Sequence, residues 1–254
     1  MRVISICPSN TEIMDYLELI NLLVGVDDFS DFPRSISHLP KLGPDLSINM
    51  ELVEKLKPDM VLASLSVPGM EKNVEQLKER GIPHIILNPQ SLSDIEQDLI
   101  TTAEVLGYPE QGKQAAEKYR NRLKKIQQQR TSNQFRPALY WEWWPKPVFT
   151  PGKLNWLTEI SELAGAVNLF QDVELASVQT DWEDVLNRKP DFICLAWVGV
   201  RREKIQKSIV KKRPGFERLN LNDHQILILE EELYCRPSPR LLDGLEKLIG
   251  LIQK

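Results

Sequence analysis

The chain has 254 residues, enough for one large domain or for two smaller ones that each have their own core. Its hydrophobic fraction of 42% and charged fraction of 27% are those of a soluble globular protein. The formal net charge of −4 argues against nucleic-acid binding, which usually depends on clustered Lys and Arg. No apolar run approaches the roughly 18 residues that cross a bilayer, so membrane insertion is not expected.

Cysteines and local charge runs add further limits. Cys7, Cys194 and Cys235 form no C-x-x-C motif, and their odd number predicts neither a disulfide framework nor a zinc site. The basic run 211–213 is expected to be a solvated helix face. The residues before Pro8 are too few for a secretory signal, so the chain as written is expected to be cytoplasmic unless an export segment is missing.

Strand and helix patterns alternate over the first 108 residues. Short apolar runs predict strands, and the helices between them are typical of βα units with a mostly parallel sheet. Ser9 followed by Glu12 predicts a capping box at the start of the first helix, and Asn49 is predicted to cap the second. The strands are predicted at 3–7, 22–26, 60–65 and 84–87, and the helices at 9–19, 49–56, 71–80 and 93–106.

Residues 109–130 predict one long helix. Ala115, Tyr119, Leu123 and Ile126 recur at spacings of four, four and three, which places them on one helical face. The helix can be a strut between two lobes or an ordinary surface helix, and periodicity alone leaves both open. The strut interpretation divides the chain into an N-terminal α/β lobe (1–108), an inter-lobe helix (109–131) and a C-terminal α/β lobe (132–254).

The second half of the chain repeats the alternation of strands and helices. A loop dense in aromatic residues and prolines is expected at 143–153. Thr180 with Glu183 predicts another capping box, and Ser238 is predicted to cap the last helix with Pro239 at its first position. The strands are predicted at 138–141, 192–196 and 225–229, and helices at 154–164 and 203–210.

A short signature links the two halves. Residues 57–63 (KPDMVLA) match 189–196 (KPDFICLA) apart from one slip, and each follows a helix and enters a strand. At the same distance after each signature, Glu71 and Glu203 open the next predicted helix. A local match of this length can arise by chance, but its position on both sides of the long helix favours a duplication.

The sequence nominates no catalytic site. It contains no G-x-S-x-G, Walker loop, H-E-x-x-H or dinucleotide glycine fingerprint. The three histidines, His38, His84 and His224, are scattered, and no pair of carboxylates stands out. We therefore expect a protein that is not an enzyme, with neither catalytic residues nor a metal site.

Aromatic residues concentrate at predicted strand ends and in loops, including Phe29 and Phe32 in the long loop 27–47. In open α/β sheets, ligands bind beyond the carboxyl ends of the strands. Two lobes facing each other there would form a cleft with flat aromatic walls, suited to a large planar or macrocyclic ligand. Trp143, Trp144 and Trp197 are predicted to line the cleft, whereas Trp141 and Trp156 are expected in the core.

Six stretches carry a resemblance to a known family, and they are 2–13 (RVISICPSNTEI), 25–33, 52–63, 149–153 (FTPGK), 163–168 (LAGAVN) and 236–240 (RPSPR). They resemble the vitamin B12-binding proteins of ABC importers, which belong to the class III, or helical-backbone metal-receptor, substrate-binding family. The similarity covers nearly the whole chain. It implies two Rossmann-like lobes with mostly parallel sheets joined by one rigid helix, no cofactor of the protein's own, and a corrinoid ligand such as cobalamin held between the lobes.

The resemblance also assigns roles to individual residues. Phe32 matches a ligand-stacking aromatic, Phe149 is placed on the opposing wall, and Arg236 matches an arginine that contacts the amide periphery of the corrinoid. Glu232 falls where the family often has an acidic residue in the cleft. For docking on arginines of the membrane permease, the resemblance implies Glu71, and the internal repeat adds Glu203.

Two alternatives remain open at this stage. The same fold can bind an iron siderophore or haem, for which Tyr234 is the one nearby candidate iron ligand. The cleft can also serve an enzyme that acts on a cofactor precursor. The expected partners are a macrocyclic small molecule and, for an importer subunit, the permease. The protein is expected to be a monomer that binds no nucleic acid. Family members are usually periplasmic or attached to the cell surface.

Overall fold

The computed structural model describes residues 1–128 and 135–253. The chain folds into two compact units: unit 1 comprises Met1–Asn121 with Pro237–Pro239, and unit 2 comprises Arg122–Arg236 with Arg240–Lys254. Each unit contains a parallel sheet flanked by helices, so the predicted α/β class is confirmed. The predicted boundaries at 108 and 131 stay a prediction, and residues 129–131 of the predicted helix lie outside the described residues.

Unit 1 has a four-stranded sheet in which every pair is parallel. Its strands are β1 (Val3–Ser5), β2 (Leu23–Val26), β3 (Met60–Ser64) and β4 (His84–Leu87), in the order β2-β1-β3-β4. Its helices are α1 (Pro8–Tyr16), α2 (Met50–Lys55), α3 (Glu71–Glu79) and α4 (Leu92–Val105), with 3₁₀ turns at Ile20–Leu22 and Arg34–His38. A core that includes Ile4, Val61, Val53 and Leu77 packs the sheet against these helices.

Of the two helix caps predicted in unit 1, one is confirmed and the other is wrong. The Asn49 side chain accepts a hydrogen bond from the Leu52 N–H, as predicted for the start of α2. The predicted capping box of Ser9 and Glu12 is wrong, because α1 begins one residue earlier with Pro8 in its first turn. Proline has no N–H to satisfy and its φ suits the first helical position, so the helix starts there without a side-chain cap.

Helix α5 (Pro109–Gln128) is the long helix that the periodicity predicts, and it contributes residues to both units. Ala115, Tyr119 and Ile126 are buried, as expected for its apolar face. Near its start, a Cβ added at Gly112 would lie 2.7 Å from the Ala103 Cβ. Glycine therefore allows α5 to approach α4 closely at this point.

Unit 2 has two sheets. The parallel sheet contains β5 (Ala138–Glu142), β8 (Val167–Asn168), β10 (Phe192–Leu195) and β11 (Ile226–Ile228), in the order β11-β10-β5-β8. The antiparallel sheet contains β6 (Trp144–Pro145), β7 (Val148–Pro151) and β9 (Ser177–Thr180), in the order β6-β7-β9. The helices are α6 (Trp156–Leu163), α7 (Trp182–Arg188), α8 (Ser208–Lys211), α9 (Glu231–Tyr234) and α10 (Leu241–Ile252).

Two elements of unit 2 differ from the sequence prediction. The aromatic loop at 143–153 contains the hairpin of β6 and β7. The helix predicted at 203–210 is instead a 3₁₀ turn, Arg202–Lys204, followed by the four-residue α8. Ile205 between them has an extended backbone and a side chain buried in the core, so the predicted helix is interrupted at this residue.

Two predicted caps in the second half are also wrong. Asp181, rather than Thr180, caps α7, because Thr180 is the last residue of β9 and its hydroxyl donates to Asp184. Ser238 does not cap the last helix, which begins three residues later. Its hydroxyl is buried and donates to the carboxylate of Glu12 within unit 1.

The two copies of the KPD signature make the same contacts. Lys57 and Lys189 both have a left-handed backbone, with φ of 48° and 54°. Asp59 then accepts a hydrogen bond from the Arg2 N–H at 2.6 Å, and Asp191 accepts one from the Ala138 N–H at 2.7 Å. Each aspartate thus ties its turn to the neighbouring strand of its own sheet, which agrees with the duplication that the sequence suggests.

Candidate functional site

In unit 1, the residues that follow β2 are fixed by a buried carboxylate. Asp27 Oδ2 accepts hydrogen bonds from the N–H groups of Phe29 at 2.8 Å and Ser30 at 3.0 Å, and the Ser30 hydroxyl donates to Oδ1. Burial raises the pKa of Asp27 to about 6, although these hydrogen bonds oppose the shift. The start of the long loop is therefore anchored at the carboxyl end of the sheet.

Further hydrogen bonds tie this loop to β1 and α1. The Thr11 hydroxyl donates to Ser5 Oγ at 2.8 Å and lies 2.8 Å from Ser30 Oγ. Phe29 is 47% exposed on the anchored loop, and Phe32 is half-buried. The loop thus presents two aromatic rings at the carboxyl edge of the unit 1 sheet, and the ligand contact predicted for Phe32 stays a prediction.

In unit 2, a buried glutamate occupies the corresponding edge. Glu142 ends β5, and its carboxylate accepts hydrogen bonds from the Tyr140 hydroxyl at 2.6 Å and the Trp197 indole N–H at 3.0 Å. The Arg213 guanidinium donates two more, at 2.6 and 2.8 Å, in a bidentate ion pair. Four donors therefore satisfy a side chain that has no contact with solvent.

This network decides the position of Trp197. The residue is only 9% exposed and belongs to the core of unit 2 together with Tyr140 and Leu195. Trp197 thus does not present an open ring face as the sequence analysis expects, because its N–H is drawn to Glu142 and its ring packs into the core. Sequence reasoning did not identify Glu142, and it assigned Arg213 to a solvated face, although an acid at the end of an apolar strand was a signal for a buried partner.

Two of the predicted ligand residues, Trp144 and Phe149, lie in the hairpin of β6 and β7, and a third, Trp143, immediately precedes it. Trp144 pairs with Phe149 across the hairpin and is 44% exposed, while Phe149 is half-buried. Trp143 is half-buried, and its ring centroid lies 6.1 Å from that of the buried Trp156. The hairpin therefore brings Trp143, Trp144 and Phe149 together, and Trp141 and Trp156 are buried as predicted.

Arg236 is held by an ion pair with an acidic residue. Its Nε and Nη2 atoms both donate to Glu231 Oε2, at 3.2 and 3.0 Å, and the arginine is only 8% exposed. Glu231 was not a sequence candidate, whereas the predicted Glu232 is half-buried on the same short helix. The ion pair fixes the guanidinium near the end of α9.

The two glutamates predicted to dock on a permease have different settings. Glu71 is exposed as the first residue of α3, and its Oε2 accepts a hydrogen bond from the Gly69 N–H at 2.7 Å. Glu203 is exposed in a 3₁₀ turn, so the expectation that it opens a helix is wrong. It lines a groove of about 790 Å³ next to β11, with Ile228 and Leu251 among the apolar residues there.

Tyr234 is unsuited to bind iron. Its ring is fully buried, and its hydroxyl donates to the Gly244 carbonyl at 2.8 Å. Burial raises the pKa of this hydroxyl, which disfavours the phenolate that would coordinate a metal. Over residues 1–128 and 135–253, no group of three or more His, Cys, Asp and Glu side chains is arranged to hold a metal ion.

A model of the periplasmic binding protein family matches residues 3–220. The chain belongs to this family. Across 253 residues it is 30% identical to the uncharacterized ABC transporter substrate-binding lipoprotein YvrC of Bacillus subtilis, with 97% of this chain and 78% of that protein covered. The family consists of binding proteins rather than enzymes, which agrees with the sequence analysis.

The chain is also similar to the vitamin B12-binding protein of Vibrio cholerae. Their sequences are 28% identical over 248 residues, covering 97% of this chain and 87% of that protein. A crystal structure of that periplasmic protein, BtuF, covers 99% of this chain and 96% of its own, with a TM-score of 0.81 and 27% identity. Heme-bound IsdE of S. aureus has a TM-score of 0.86 at 18% identity, covering 100% and 99% of the two chains.

These comparisons confirm the fold that the resemblance implied. They also place the chain among binding proteins, which carry no cofactor of their own. Among the described helices, none is both long and apolar enough to span a membrane.

Proposed function

We propose that the protein binds a corrinoid of the cobalamin type and serves as the substrate-binding component of an ABC importer. The observation that carries this proposal is the 28% identity to a vitamin B12-binding protein along 97% of the chain. The aromatic rings at the carboxyl edges of the two parallel sheets support it, because flat apolar faces suit a large macrocycle. A ligand such as haem or an iron siderophore is the competing outcome, since IsdE shares the fold.

The ligand contacts we propose are those of the sequence analysis, with one change. Trp143, Trp144, Phe149 and Phe32 supply ring faces, and Arg236 and Glu232 supply polar contacts. Trp197 supports the site without contacting the ligand, because its ring is packed in the core and its N–H is bonded to Glu142.

The first test is calorimetric titration of the purified protein with cyanocobalamin, dicyanocobinamide and haemin. We expect saturable one-to-one binding of both corrinoids and weaker binding of haemin. Trp144→Ala should weaken corrinoid binding, since it removes an exposed ring. Phe135→Ala is the matched control. Phe135 is also exposed, at 66%, but it precedes the start of β5, whereas Trp144 follows the end of that strand. Binding of haemin alone would transfer the proposal to haem.

We also propose that Glu71 and Glu203 dock the protein on arginines of the permease. Both are exposed, so reversing their charge should leave the fold and ligand affinity unchanged. Glu71→Lys with Glu203→Lys should abolish corrinoid uptake by cells that depend on this importer. Glu79→Lys, an exposed position at the other end of α3, is the control. Uptake that persists in the double variant would refute this docking assignment.

The relatives named as periplasmic or as lipoproteins suggest that this function is exercised outside the cytoplasm. We therefore propose that the protein works on the outer side of the membrane. Fractionation of cells that express the protein from its native gene should recover it outside the cytoplasmic fraction.

A further inference from the structure

The tryptophans of this protein differ in whether the indole N–H has a hydrogen-bond acceptor. The chain has six tryptophans, all of them in unit 2. Five of them donate to an acceptor in the protein at 2.9–3.1 Å. These pairs are Trp141 with Ser161 Oγ, Trp144 with the Lys146 carbonyl, Trp156 with the Tyr234 carbonyl, Trp182 with the Pro214 carbonyl, and Trp197 with Glu142 Oε1.

Trp143 is the exception. Its Nε1 is shielded from solvent and has no hydrogen-bond partner among the described residues. Its backbone, by contrast, is held on both sides: its N–H donates to the Phe149 carbonyl at 2.9 Å, and its carbonyl accepts from the Val198 N–H at 3.1 Å. The backbone of Trp143 is therefore fixed at the base of the hairpin, whereas the polar atom of its side chain is left unsatisfied.

A second unsatisfied group lies in the same hairpin. Thr150 follows Phe149 on β7, is fully buried, and its Oγ1 also lacks a partner among the described residues. In the described part of unit 2, these are the two buried side-chain polar atoms without a partner. Both lie in the segment that carries Trp144 and Phe149, so in unit 2 the unsatisfied side-chain polarity is concentrated beside predicted ligand residues.

Leaving such groups unsatisfied costs free energy in the unliganded protein. A buried donor without an acceptor loses its hydrogen bonds to water and gains nothing in return. An indole nitrogen can only donate, so its missing partner must be an acceptor atom. The peripheral groups of corrinoids, haem and siderophores all carry oxygen acceptors, as amides, carboxylates or hydroxamates.

We propose that Trp143 strengthens ligand binding by donating its indole N–H to an oxygen atom of the bound ligand, with the Thr150 hydroxyl on β7 as a second polar contact. This inference rests on the proposed function. Because the N–H is shielded in the free protein, the half-exposed ring of Trp143 turns when the ligand binds, a side-chain adjustment common at binding sites.

The first test compares two tryptophan variants by calorimetry. Trp143→Phe keeps an aromatic ring and removes the unpaired N–H, and we expect an affinity about tenfold lower for corrinoid, the loss of one hydrogen bond. Trp144→Phe is the matched control in the same hairpin, since its N–H is already bonded to Lys146. We expect it to change affinity much less.

Thr150→Val gives a readout that separates binding from folding. Valine has a similar shape and removes a buried hydroxyl that lacks a protein partner, so the unliganded protein should melt at the same or a higher temperature. Corrinoid affinity should nevertheless fall. A lower melting temperature with unchanged affinity would mean that a structural water satisfies the hydroxyl, and would overturn its role in binding.

The direct test is the indole ¹⁵N–¹H spectrum of protein labelled at tryptophan, with the Trp143 signal assigned by its absence in Trp143→Phe. Addition of cyanocobalamin or dicyanocobinamide should move that signal to lower field, as a new hydrogen bond requires, and more than the signals of the buried Trp141 and Trp156. Haemin is added in a parallel experiment, because its peripheral oxygen acceptors are carboxylates rather than amides.

The outcomes distinguish this inference from the proposed function. Corrinoid binding with an unmoved Trp143 signal, or with equal affinities for the two tryptophan variants, would refute the inference and leave the proposed function standing. Failure of wild-type protein to bind any of the three probes would refute the proposed function and the inference together.

Discussion

The ion pair of Glu142 and Arg213 allows a quantitative prediction about stability. Glu142→Gln keeps the shape of the side chain but removes its charge, and leaves Arg213 with 14% side-chain exposure and no counter-ion at that contact. Removing one partner of a buried pair typically costs about 3–5 kcal/mol, because the remaining charge is left in a poorly solvated position. The glutamine amide also places N–H donors where the carboxylate met four donors.

The assay is urea unfolding followed by tryptophan emission. All six tryptophans lie in unit 2, so this signal reports the unit that contains the pair. Glu183→Gln is the matched control in the same unit, because it breaks an exposed pair with Arg218 whose side chains are 62% and 49% accessible. Exposed pairs contribute at most about 1 kcal/mol.

Two results would refute the reasoning. One is a loss of stability in Glu142→Gln no larger than that in Glu183→Gln. The other concerns the double variant Glu142→Gln with Arg213→Met, which should recover part of the lost stability because it removes the unpaired cation. A double variant less stable than Glu142→Gln alone would show that the arginine stabilises the unit without its carboxylate.

Three further predictions concern particular contacts. Burial raises the pKa of Asp98 to about 7, so the folded state keeps a proton that the unfolded state releases near pH 4. The free energy of unfolding should therefore fall as pH rises between these values. Circular dichroism melts of Asp98→Asn should lack this fall. Gly112→Ala should lower the melting temperature despite the better helix propensity of alanine, because its Cβ would meet Ala103, whereas Gly250→Ala on α10 meets nothing and should raise it. Asn49→Ala should cost about 1 kcal/mol in chemical denaturation through loss of the cap on α2, and an unchanged midpoint would contradict that role.

Local patterns in the sequence were sufficient for most of the secondary structure. The strand at His84–Leu87 and the Asn49 cap agree with prediction, and α5 buries the face defined by Ala115, Tyr119 and Ile126. These features depend on periodicity and on hydrogen bonds within a few residues, which a sequence displays directly. The predicted caps at Ser9 and Thr180 are wrong but lie close to the observed helix starts, which a nearby proline and a strand end decided.

The sequence by itself determined the α/β class, the repeated KPD turns and the concentration of aromatic residues in loops, since these follow from composition and local order. Only the tertiary structure decided which aromatic rings stay exposed. Trp144 and Trp197 have similar local settings, but Arg213, 71 residues from Glu142 along the chain, completes the network that holds the Trp197 indole in the core. Partners so distant in sequence are chosen by packing, and packing likewise left Trp143 as the one tryptophan without a protein acceptor among the described residues.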